Sequence, residues 1–302
     1  MTYTFRIITG SVFMIIVTCC LYSCKTSSEN LFEKPVEIIK VADGFKFAEG
    51  PAVDASGILY FTDIPNDKIY RWTKETGPVL VLQNTGHGNG LYFRTDGDLL
   101  FCEMSTRRVM GMKPGGETYI LTDRYLGKRY NNPNDLWIDP AGGVYFTDPG
   151  YFLDEHELEQ GIEAVYYIHP GLDSVSRVSG HLPRPNGIVG TADGKILYVA
   201  SDTVHKTWRF IIQPNGMLSE KELFVDNGHD GLTLDEFGNL YITNRDSLSI
   251  DIYNPEGVYL ESIIFPERPS NACFGRAGDN TLYVSAVSSV YAVRMNVGGQ
   301  WD

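Results

Sequence analysis

A long-period repeat is the feature that most constrains the fold of this chain. Six aromatic residues, each inside a short apolar segment, recur 41, 44, 53, 43 and 42 positions apart. They are Tyr60, Phe101, Tyr145, Tyr198, Tyr241 and Tyr283. A period of this length, with several short strands in each copy, is typical of a β-propeller in which each repeat builds one four-stranded blade. The sequence therefore predicts an all-β fold, a six-bladed β-propeller.

A polar side chain precedes each of these aromatic residues by 11 or 12 positions. These polar residues are Glu49, Asn89, Asn134, Asn186, Asp230 and Asn271. Because propeller blades are related by rotation about a central channel, equivalent positions in successive blades form a ring around that channel. We therefore expect six oxygen-bearing side chains, called the ring residues below, to converge on one axis.

The composition indicates one globular domain with an acidic surface. Of the 302 residues, 43% are hydrophobic, which is enough to bury a core without disulfides. The formal net charge of −13 argues against nucleic acid and anionic membrane surfaces as partners. Most of this charge is expected on solvated surface, although it is also compatible with cation binding.

The N-terminal segment differs from the repeats. Residues 7–21 are mostly apolar behind a single Arg6, and they lead into the sequence Leu21–Cys24. This ending resembles the cleavage box of a bacterial lipoprotein, in which the cysteine becomes the lipidated first residue. An ordinary cleaved secretory signal and an uncleaved anchor are the alternatives.

The domain organisation follows from this interpretation. We expect an export signal of the lipoprotein type over residues 1–23, a polar tether over residues 24–35 and the propeller over residues 36–302. A lipid on Cys24 would be the protein's one link to a membrane. The protein would then be exported and held at a periplasmic or cell-surface membrane face.

Two cysteines, Cys102 and Cys273, fall within the repeats. They belong to the second and sixth repeats, which the first blade would separate. The sequence therefore predicts that they form no disulfide and act as small buried hydrophobic residues.

Aspartates in the D-x-x-G segments are expected to be turn residues. Asp54, Asp139 and Asp235 each stand three positions before a glycine and directly upstream of a strand. Asp at the start of a tight turn that closes with Gly is typical of a β-hairpin turn. These carboxylates are therefore not candidates for catalysis.

Two segments depart from the repeat. Val36–Lys40 is apolar in pattern but has no blade of its own, so we expect it to supply the outer strand of the sixth blade and close the ring. The 53-residue spacing reflects an insertion at about residues 149–164. This insertion is either a lid over the ring or a plain surface excursion.

The ring residues are suited to a hard divalent cation. Glu49, Asn186 and Asp230 offer two carboxylates and an amide, and Asn134 offers a fourth oxygen. Ca²⁺ takes ~6–8 oxygen ligands from such groups and from water, and open coordination positions would admit a substrate. The alternative is that these side chains bond neighbouring backbone at strand starts. Six of them in register favour the metal site.

Five short motifs, in this order and blade phase, carry a resemblance to a known family. They are Glu49–Pro51, Asn131–Leu136, Phe146–Pro149, Pro185–Ile188 and Asp230–Leu232. With this set the chain resembles the gluconolactonase and regucalcin (senescence marker protein) family of six-bladed propellers.

The resemblance implies a metal-dependent hydrolase that opens a sugar lactone or a similar cyclic ester, so that a small-molecule lactone is the expected partner. Glu49, Asn134, Asn186 and Asp230 would hold a divalent metal, with Ca²⁺ preferred and Mg²⁺, Mn²⁺ or Zn²⁺ as alternatives. Asp230 would also be catalytic, as proton donor or acceptor.

Substrate contacts are expected from residues on and beside the ring. They are Asn89, Asn132, His87, His229 and Asn271. Asn132 stands where some relatives carry Arg, and this makes the chain similar to the bacterial gluconolactonase-like branch. Each histidine is either a ligand for substrate hydroxyls or a hydrogen-bonded structural residue. A non-catalytic propeller that binds a sugar or a protein through the same face is the alternative function.

Overall fold

The computed structural model describes residues 31–300, apart from the side chain of Glu155. The predicted export signal, Cys24 and the first part of the tether lie outside the described residues. Within residues 31–300 the chain forms strands, turns and two 3-10 turns, Ile64–Asn66 and Glu155–Glu157. No helix in this range has the length and apolarity needed to cross a membrane.

Twenty-six strands make up the body of the protein. In chain order they are β1 (Ile38–Asp43), β2 (Ala48–Val53), β3 (Leu59–Asp63), β4 (Lys68–Thr73), β5 (Gly77–Gln83), β6 (Gly88–Phe93), β7 (Leu99–Glu103), β8 (Arg108–Met112), β9 (Thr118–Thr122), β10 (Arg124–Tyr125), β11 (Lys128–Arg129), β12 (Leu136–Ile138), β13 (Val144–Asp148), β14 (Ala164–Ile168), β15 (Val175–Gly180), β16 (Pro185–Gly190), β17 (Ile196–Ser201), β18 (Lys206–Ile211), β19 (Glu222–Val225), β20 (Leu232–Leu234), β21 (Leu240–Asn244), β22 (Ser249–Tyr253), β23 (Tyr259–Ile264), β24 (Pro269–Phe274), β25 (Thr281–Ala286) and β26 (Ser289–Arg294).

Six antiparallel four-stranded sheets correspond to the six repeats. The sheets are β2–β5, β6–β9, β12–β15, β16–β19, β20–β23, and β24–β26 with β1 as the outermost strand, while β10 and β11 form a small separate hairpin. Each innermost strand contacts the innermost strand of the next blade, and β24 contacts β2. The ring is therefore closed, and the predicted six-bladed propeller is confirmed.

The sixth blade is completed by the N-terminal strand, as predicted. Ile38 of β1 lies opposite Val293 of β26, and Ala42 lies opposite Val290. Pairing the two ends of the domain removes the free edge that blade six would otherwise present. Upstream of β1, the side chain of Phe32 is buried against the fifth and sixth blades, within the segment assigned to the tether.

Aromatic residues of the second strands pack between neighbouring blades. Tyr145 is fully buried, stacks on Tyr167 with ring centroids 4.2 Å apart, and donates a hydrogen bond from its hydroxyl to the carbonyl oxygen of Gly216 at 2.8 Å. Full burial of one such side chain stabilises the fold by roughly 2 to 3 kcal/mol. The repeated aromatic residue is therefore a core residue in five of the six blades, and only Tyr60 is half-buried.

The turn predictions are confirmed, and the cysteine prediction is confirmed in part. Asp139 Oδ1 accepts the backbone N–H groups of Ala141 and Gly143, both at 2.9 Å, and so closes the turn before β13. Asp54 and Asp235 do the same in their blades. Cys102 and Cys273 are not disulfide-bonded; Cys102 is buried as predicted, whereas Cys273 is only partly buried.

Candidate functional site

The ring residues lie where the innermost strands begin. Glu49, Asn89, Asn186 and Asn271 fall in the first half of β2, β6, β16 and β24, and Asn134 and Asp230 come two residues before β12 and β20. All except Asp230, which is partly exposed, are buried. The near-constant distance from the repeated aromatic residue thus places six polar residues at the starts of the six innermost strands.

Close approach of neighbouring blades explains the small residue that follows most ring residues. A Cβ atom on Gly187 would lie 2.2 Å from the carbonyl oxygen of Asp230 in the next blade. The N–H of Gly187 donates to that same oxygen at 3.1 Å. Any side chain here would push two ring residues apart, so glycine is required at this position.

A large cavity opens over the ring, and we call it the ring cavity. Its volume is about 1010 Å³, and five ring residues line it: Glu49, Asn89, Asn134, Asn186 and Asp230. His87 and Asn132 belong to the same lining. Seven of the nine predicted site residues therefore surround one space large enough for a sugar-sized ligand.

The remaining two predicted residues are absent from the lining of the ring cavity, although Asn271 hydrogen-bonds the ring residue Glu49. Asn271 lines a smaller cavity of about 190 Å³ beside Asp135, at the downstream ends of the innermost strands. Its Nδ2 donates a hydrogen bond to Asp135 Oδ2 at 3.2 Å. His229 is absent from the lining of the ring cavity and packs against His205, with ring centroids 4.2 Å apart.

The two ring carboxyl groups, the buried Glu49 and the half-buried Asp230, are held at high electrostatic cost. Burial raises the pKa of Glu49 well above its usual range, and the charge of Asp230 raises it further. Burial likewise raises the pKa of Asp230 to about 8, with repulsion from Asp202 adding to the shift and Arg268 opposing it. Two carboxyl groups in such surroundings favour a cation beside them.

Several amide oxygens of the lining are left without protein partners. No described residue hydrogen-bonds the side-chain amide of Asn134, and Asn132 Oδ1 is buried without a partner. Asn186 uses its Nδ2 to donate to the hydroxyl of Tyr151 at 2.9 Å, which leaves its Oδ1 for other ligands. Buried polar atoms are normally paired, so these oxygens are consistent with ligands supplied by a cation, water or substrate.

This donor set fits a hard divalent cation. Glu49, Asn134, Asn186 and Asp230 contribute oxygen atoms alone, which is the chemistry that Ca²⁺ and Mg²⁺ favour. A second cluster, formed by His205, His229 and Asp246, also brings three ligand atoms within 4.8 Å of one another.

One member of the histidine cluster, His205, is part of a hydrogen-bonded network. Arg245 Nη2 lies 2.9 Å from His205 Nε2 and donates to its lone pair, while Arg245 Nη1 lies 2.7 Å from Asp202 Oδ1. Burial lowers the pKa of His229, and the neighbouring His205 lowers it further. His205 Nε2, which accepts from arginine, is not free to bind a metal, whereas the buried Nδ1 of His229 has no hydrogen-bond partner in the described protein.

Two functional candidates were missed by the sequence analysis, Tyr151 and Asp202. The Tyr151 hydroxyl donates to Asp202 Oδ2 at 3.0 Å and accepts from Asn186 Nδ2. Tyr151 and Phe152 belong to the insertion after β13, and both line the ring cavity. The insertion therefore reaches the ring face. Asp202 stands four positions after the aromatic repeat residue Tyr198, but no other repeat has an acidic residue at this position, so the repeat gave no signal for it.

Asp148 shows that a buried carboxyl group can be purely structural. Its two oxygens accept the backbone N–H groups of Asn131 and Asn132 at 2.9 and 2.8 Å. Burial nevertheless raises the pKa of Asp148 to about 8. These bonds hold the loop that carries Asn132 and Asn134 to the cavity, which explains why Phe146–Pro149 accompanies that loop as a motif.

A family model described as the SMP-30/gluconolactonase/LRE-like region matches residues 47–288, which is most of the propeller. The chain belongs to this family. The gluconolactonase of Zymomonas mobilis subsp. mobilis is 32% identical over 299 residues, covering 88% of this chain and 82% of that protein. Lactonase drp35 of Staphylococcus aureus is 24% identical over 234 residues, covering 73% of this chain and 70% of that protein.

Solved structures agree with the fold. A gluconolactonase from Xanthomonas campestris superposes with a TM-score of 0.81 at 24% identity, covering 89% of this chain and 91% of that chain. The calcium-binding protein regucalcin from Agrobacterium tumefaciens superposes with a TM-score of 0.75 at 17% identity, covering 87% and 95%.

Proposed function

We propose that this protein is a metal-dependent lactonase that hydrolyses a sugar lactone or a similar cyclic ester in the ring cavity. The observation that carries the proposal is the convergence of Glu49, Asn134, Asn186 and Asp230 on one cavity with unpaired amide oxygens. Membership of the gluconolactonase family and the lactonase names of two relatives support the same reaction.

These four residues would hold a divalent cation, and Ca²⁺ is our first choice. Two carboxylates and two amides match its preference for oxygen ligands, and they leave positions for water and substrate. When bound, the cation would polarise the lactone carbonyl and stabilise negative charge on its oxygen. The relationship to a calcium-binding regucalcin is consistent with this choice.

Asp230 is the carboxyl group we assign to proton transfer. Asp202, which also lines the cavity, is held by Arg245 and Tyr151, and Glu49 Oε2 accepts the N–H of Gly50 at 2.7 Å. Asp230 has no comparable ion pair and is more exposed to the cavity than Glu49. It can therefore take the proton of a water that attacks the lactone carbonyl.

Asn89 and Asn132 are placed to bind substrate hydroxyls. Asn132 Nδ2 donates to the carbonyl oxygen of Met104 at 3.3 Å, so its unpaired Oδ1 is held as an acceptor. Asn89 Nδ2 has only the weak acceptor Met104 Sδ at 3.4 Å, so its amide is available to a ligand. Neutral amides of this kind orient a polyhydroxylated ring without competing for the cation.

The test is a metal titration. Ca²⁺, Mg²⁺, Mn²⁺ and Zn²⁺ are added separately to the chelator-treated protein while the hydrolysis of glucono-δ-lactone is followed by proton release. We expect metal-dependent turnover above the spontaneous rate, lost in Asp230→Ala. Full activity in Asp230→Ala or after chelation would exclude the mechanism, and metal binding without turnover of any lactone would favour a binding propeller.

We also propose that the protein is exported and carries a lipid on Cys24. The support is the sequence of residues 7–24 alone. Incorporation of radiolabelled palmitate into the wild type, and its loss in Cys24→Ser, is the expected result. A wild-type protein that takes up no label and is released from cells would contradict it.

A further inference from the structure

Cationic side chains surround the ring cavity of this acidic protein. Six of them belong to its lining: Lys46, Arg107, Arg129, Arg184, Arg245 and Arg268. They come from loops of different blades, so no single segment accounts for them. Their collection around one opening gives the mouth of the cavity a charge opposite to that of the whole chain.

Three of the six cations are already paired within the protein. Arg107 and Arg129 both contact Glu159, with Arg129 Nε only 2.6 Å from its Oε1. Arg245 is bound to Asp202. These three side chains have structural partners and need no ligand to explain them.

The other three, Lys46, Arg184 and Arg268, form no ion pair with any carboxylate among residues 31–300. The guanidinium of Arg184 lies over the ring of Tyr151, 5.4 Å from its centroid. That of Arg268 lies over the ring of Phe47 at 5.1 Å. Both aromatic rings also line the ring cavity, so each guanidinium is held at the cavity wall by a side chain that leaves its charge unneutralised.

Of these three cations, Arg268 gives the strongest evidence for a bound anion. Its Nε is buried and has no hydrogen-bond partner in the described protein. A guanidinium nitrogen removed from water without an acceptor is costly, and a fork of unpaired donors suits carboxylate or phosphate oxygens. Asp230 feels the charge of Arg268 but does not form an ion pair with it, and Asp230 is assigned to the cation.

From this arrangement we infer that the preferred substrate is an anionic sugar lactone, in which a carboxylate or phosphate away from the lactone carbonyl is bound by Arg268 with Arg184 and Lys46 at the cavity mouth. The inference rests on the proposed function and narrows its substrate class. A neutral sugar lactone could fill the same space, but it would leave the three cations without a counter-charge.

Binding is tested first with sugars that the protein cannot open. Methyl β-glucuronide and methyl β-glucoside 6-phosphate are compared with neutral methyl β-glucoside by calorimetry at saturating Ca²⁺. We expect at least one anionic ring to bind roughly ten- to a hundredfold more tightly than the neutral ring, with the preference falling as salt is added. The two anionic rings distinguish a carboxylate from a phosphate.

The variant Arg268→Gln separates recognition by arginine from direct ligation of the anion by the metal. We expect the anion preference to fall about tenfold in Arg268→Gln. It should persist in Arg209→Gln, which removes an arginine paired with Glu222 on the outer part of blade four. Equal binding of the three sugars, or a preference that survives Arg268→Gln, overturns the inference.

Turnover then distinguishes this inference from the proposed function. The ratio of kcat/KM for glucaro-δ-lactone or 6-phosphoglucono-δ-lactone to that for glucono-δ-lactone should exceed one and fall in Arg268→Gln. Turnover in which the neutral lactone is the best substrate overturns the anionic class and leaves the lactonase intact. An anion preference in binding, with no lactone hydrolysed, overturns the lactonase and leaves the anion site.

Discussion

The two cavities of the central channel hold buried carboxyl groups in different states of hydrogen bonding. In the smaller cavity, Asp135 accepts the N–H of Leu136 and the amide of Asn271, and burial raises its pKa to about 6. In the ring cavity, burial and repulsion from neighbouring carboxylates raise the pKa of both Glu49 and Asp230, and the neighbouring amide oxygens have no partners. Burial alone therefore does not mark a site. A candidate site is marked instead by oxygen atoms that lack hydrogen-bond partners and face a ligand-sized space.

The sharpest test of this contrast is metal binding by two matched variants. Glu49→Gln removes one of the two charges assigned to the cation, and we expect the dissociation constant for Ca²⁺ to rise roughly a hundredfold or more. Asp135→Asn removes a buried charge of the other cavity that acts on Glu49 and Asp230 only through space, and we expect a smaller change, of less than about tenfold. Calorimetric titration of Ca²⁺ measures both. Equal weakening in the two variants would show that the cavities are not distinct in function.

Stability against pH in the absence of metal is the next test. The pKa of Asp230 is about 8 in the folded protein and is expected near 3.9 in the unfolded chain. Between these values the folded state binds more protons than the unfolded state, so the free energy of unfolding falls as pH rises. We expect a loss on the order of a few kcal/mol between about pH 4 and pH 8 in a chelator.

Urea denaturation at a series of pH values measures this slope. Asp230→Asn should flatten it and should be more stable than the wild type at about pH 8, because the variant buries no charge at this position. Saturating Ca²⁺ should also oppose the loss, since it binds the ionised carboxylates. An unchanged slope in Asp230→Asn would refute the assigned cause.

The amides of the two cavities should differ in what they contribute to stability. Asn271→Ala leaves Asp135 without its side-chain donor, so we expect a cost of roughly 1 to 3 kcal/mol in the free energy of unfolding. Asn134→Ala removes an amide that no described residue binds, and it should cost less than about 0.5 kcal/mol. Chemical denaturation in a chelator gives both numbers. Combining Asn271→Ala with Asp135→Asn should recover part of the loss, and purely additive effects would contradict the coupling.

Much of this architecture could be predicted because it follows from spacing. The period of the aromatic residues predicted six blades, and the offset of 11 or 12 positions placed the ring residues at the starts of the innermost strands. The destination of the Asn271 side chain could not be predicted, because it depends on Asp135 in another blade, 136 positions away. The clustering of cations at the cavity mouth could not be predicted either, because the segments that carry them are far apart in the sequence.

The role of the insertion after β13 could not be predicted from the sequence either. Its length was evident, but the role of Tyr151 depends on two partners in the fourth blade, Asn186 and Asp202. Nothing in the local sequence distinguishes this tyrosine from its neighbour Phe152, which is 94% exposed. Contacts between blades, not composition, decide which of the two residues orients a ring side chain.

Tyr151→Phe should produce the smallest of these effects, and it tests how the side chain of the ring residue Asn186 is oriented. The hydroxyl accepts from Nδ2 of the Asn186 amide, which also hydrogen-bonds Asp230, so without the hydroxyl the amide loses one of the two contacts that orient it. Because partners that orient metal ligands typically affect affinity by ~10–100-fold, we expect Ca²⁺ binding to weaken by about tenfold. Tyr119→Phe is the matched control, since its hydroxyl donates to Asp98 at 2.6 Å on the outer part of blade two. If both variants bind Ca²⁺ equally well, Asn186 is oriented without the tyrosine hydroxyl, and the insertion only covers the ring cavity.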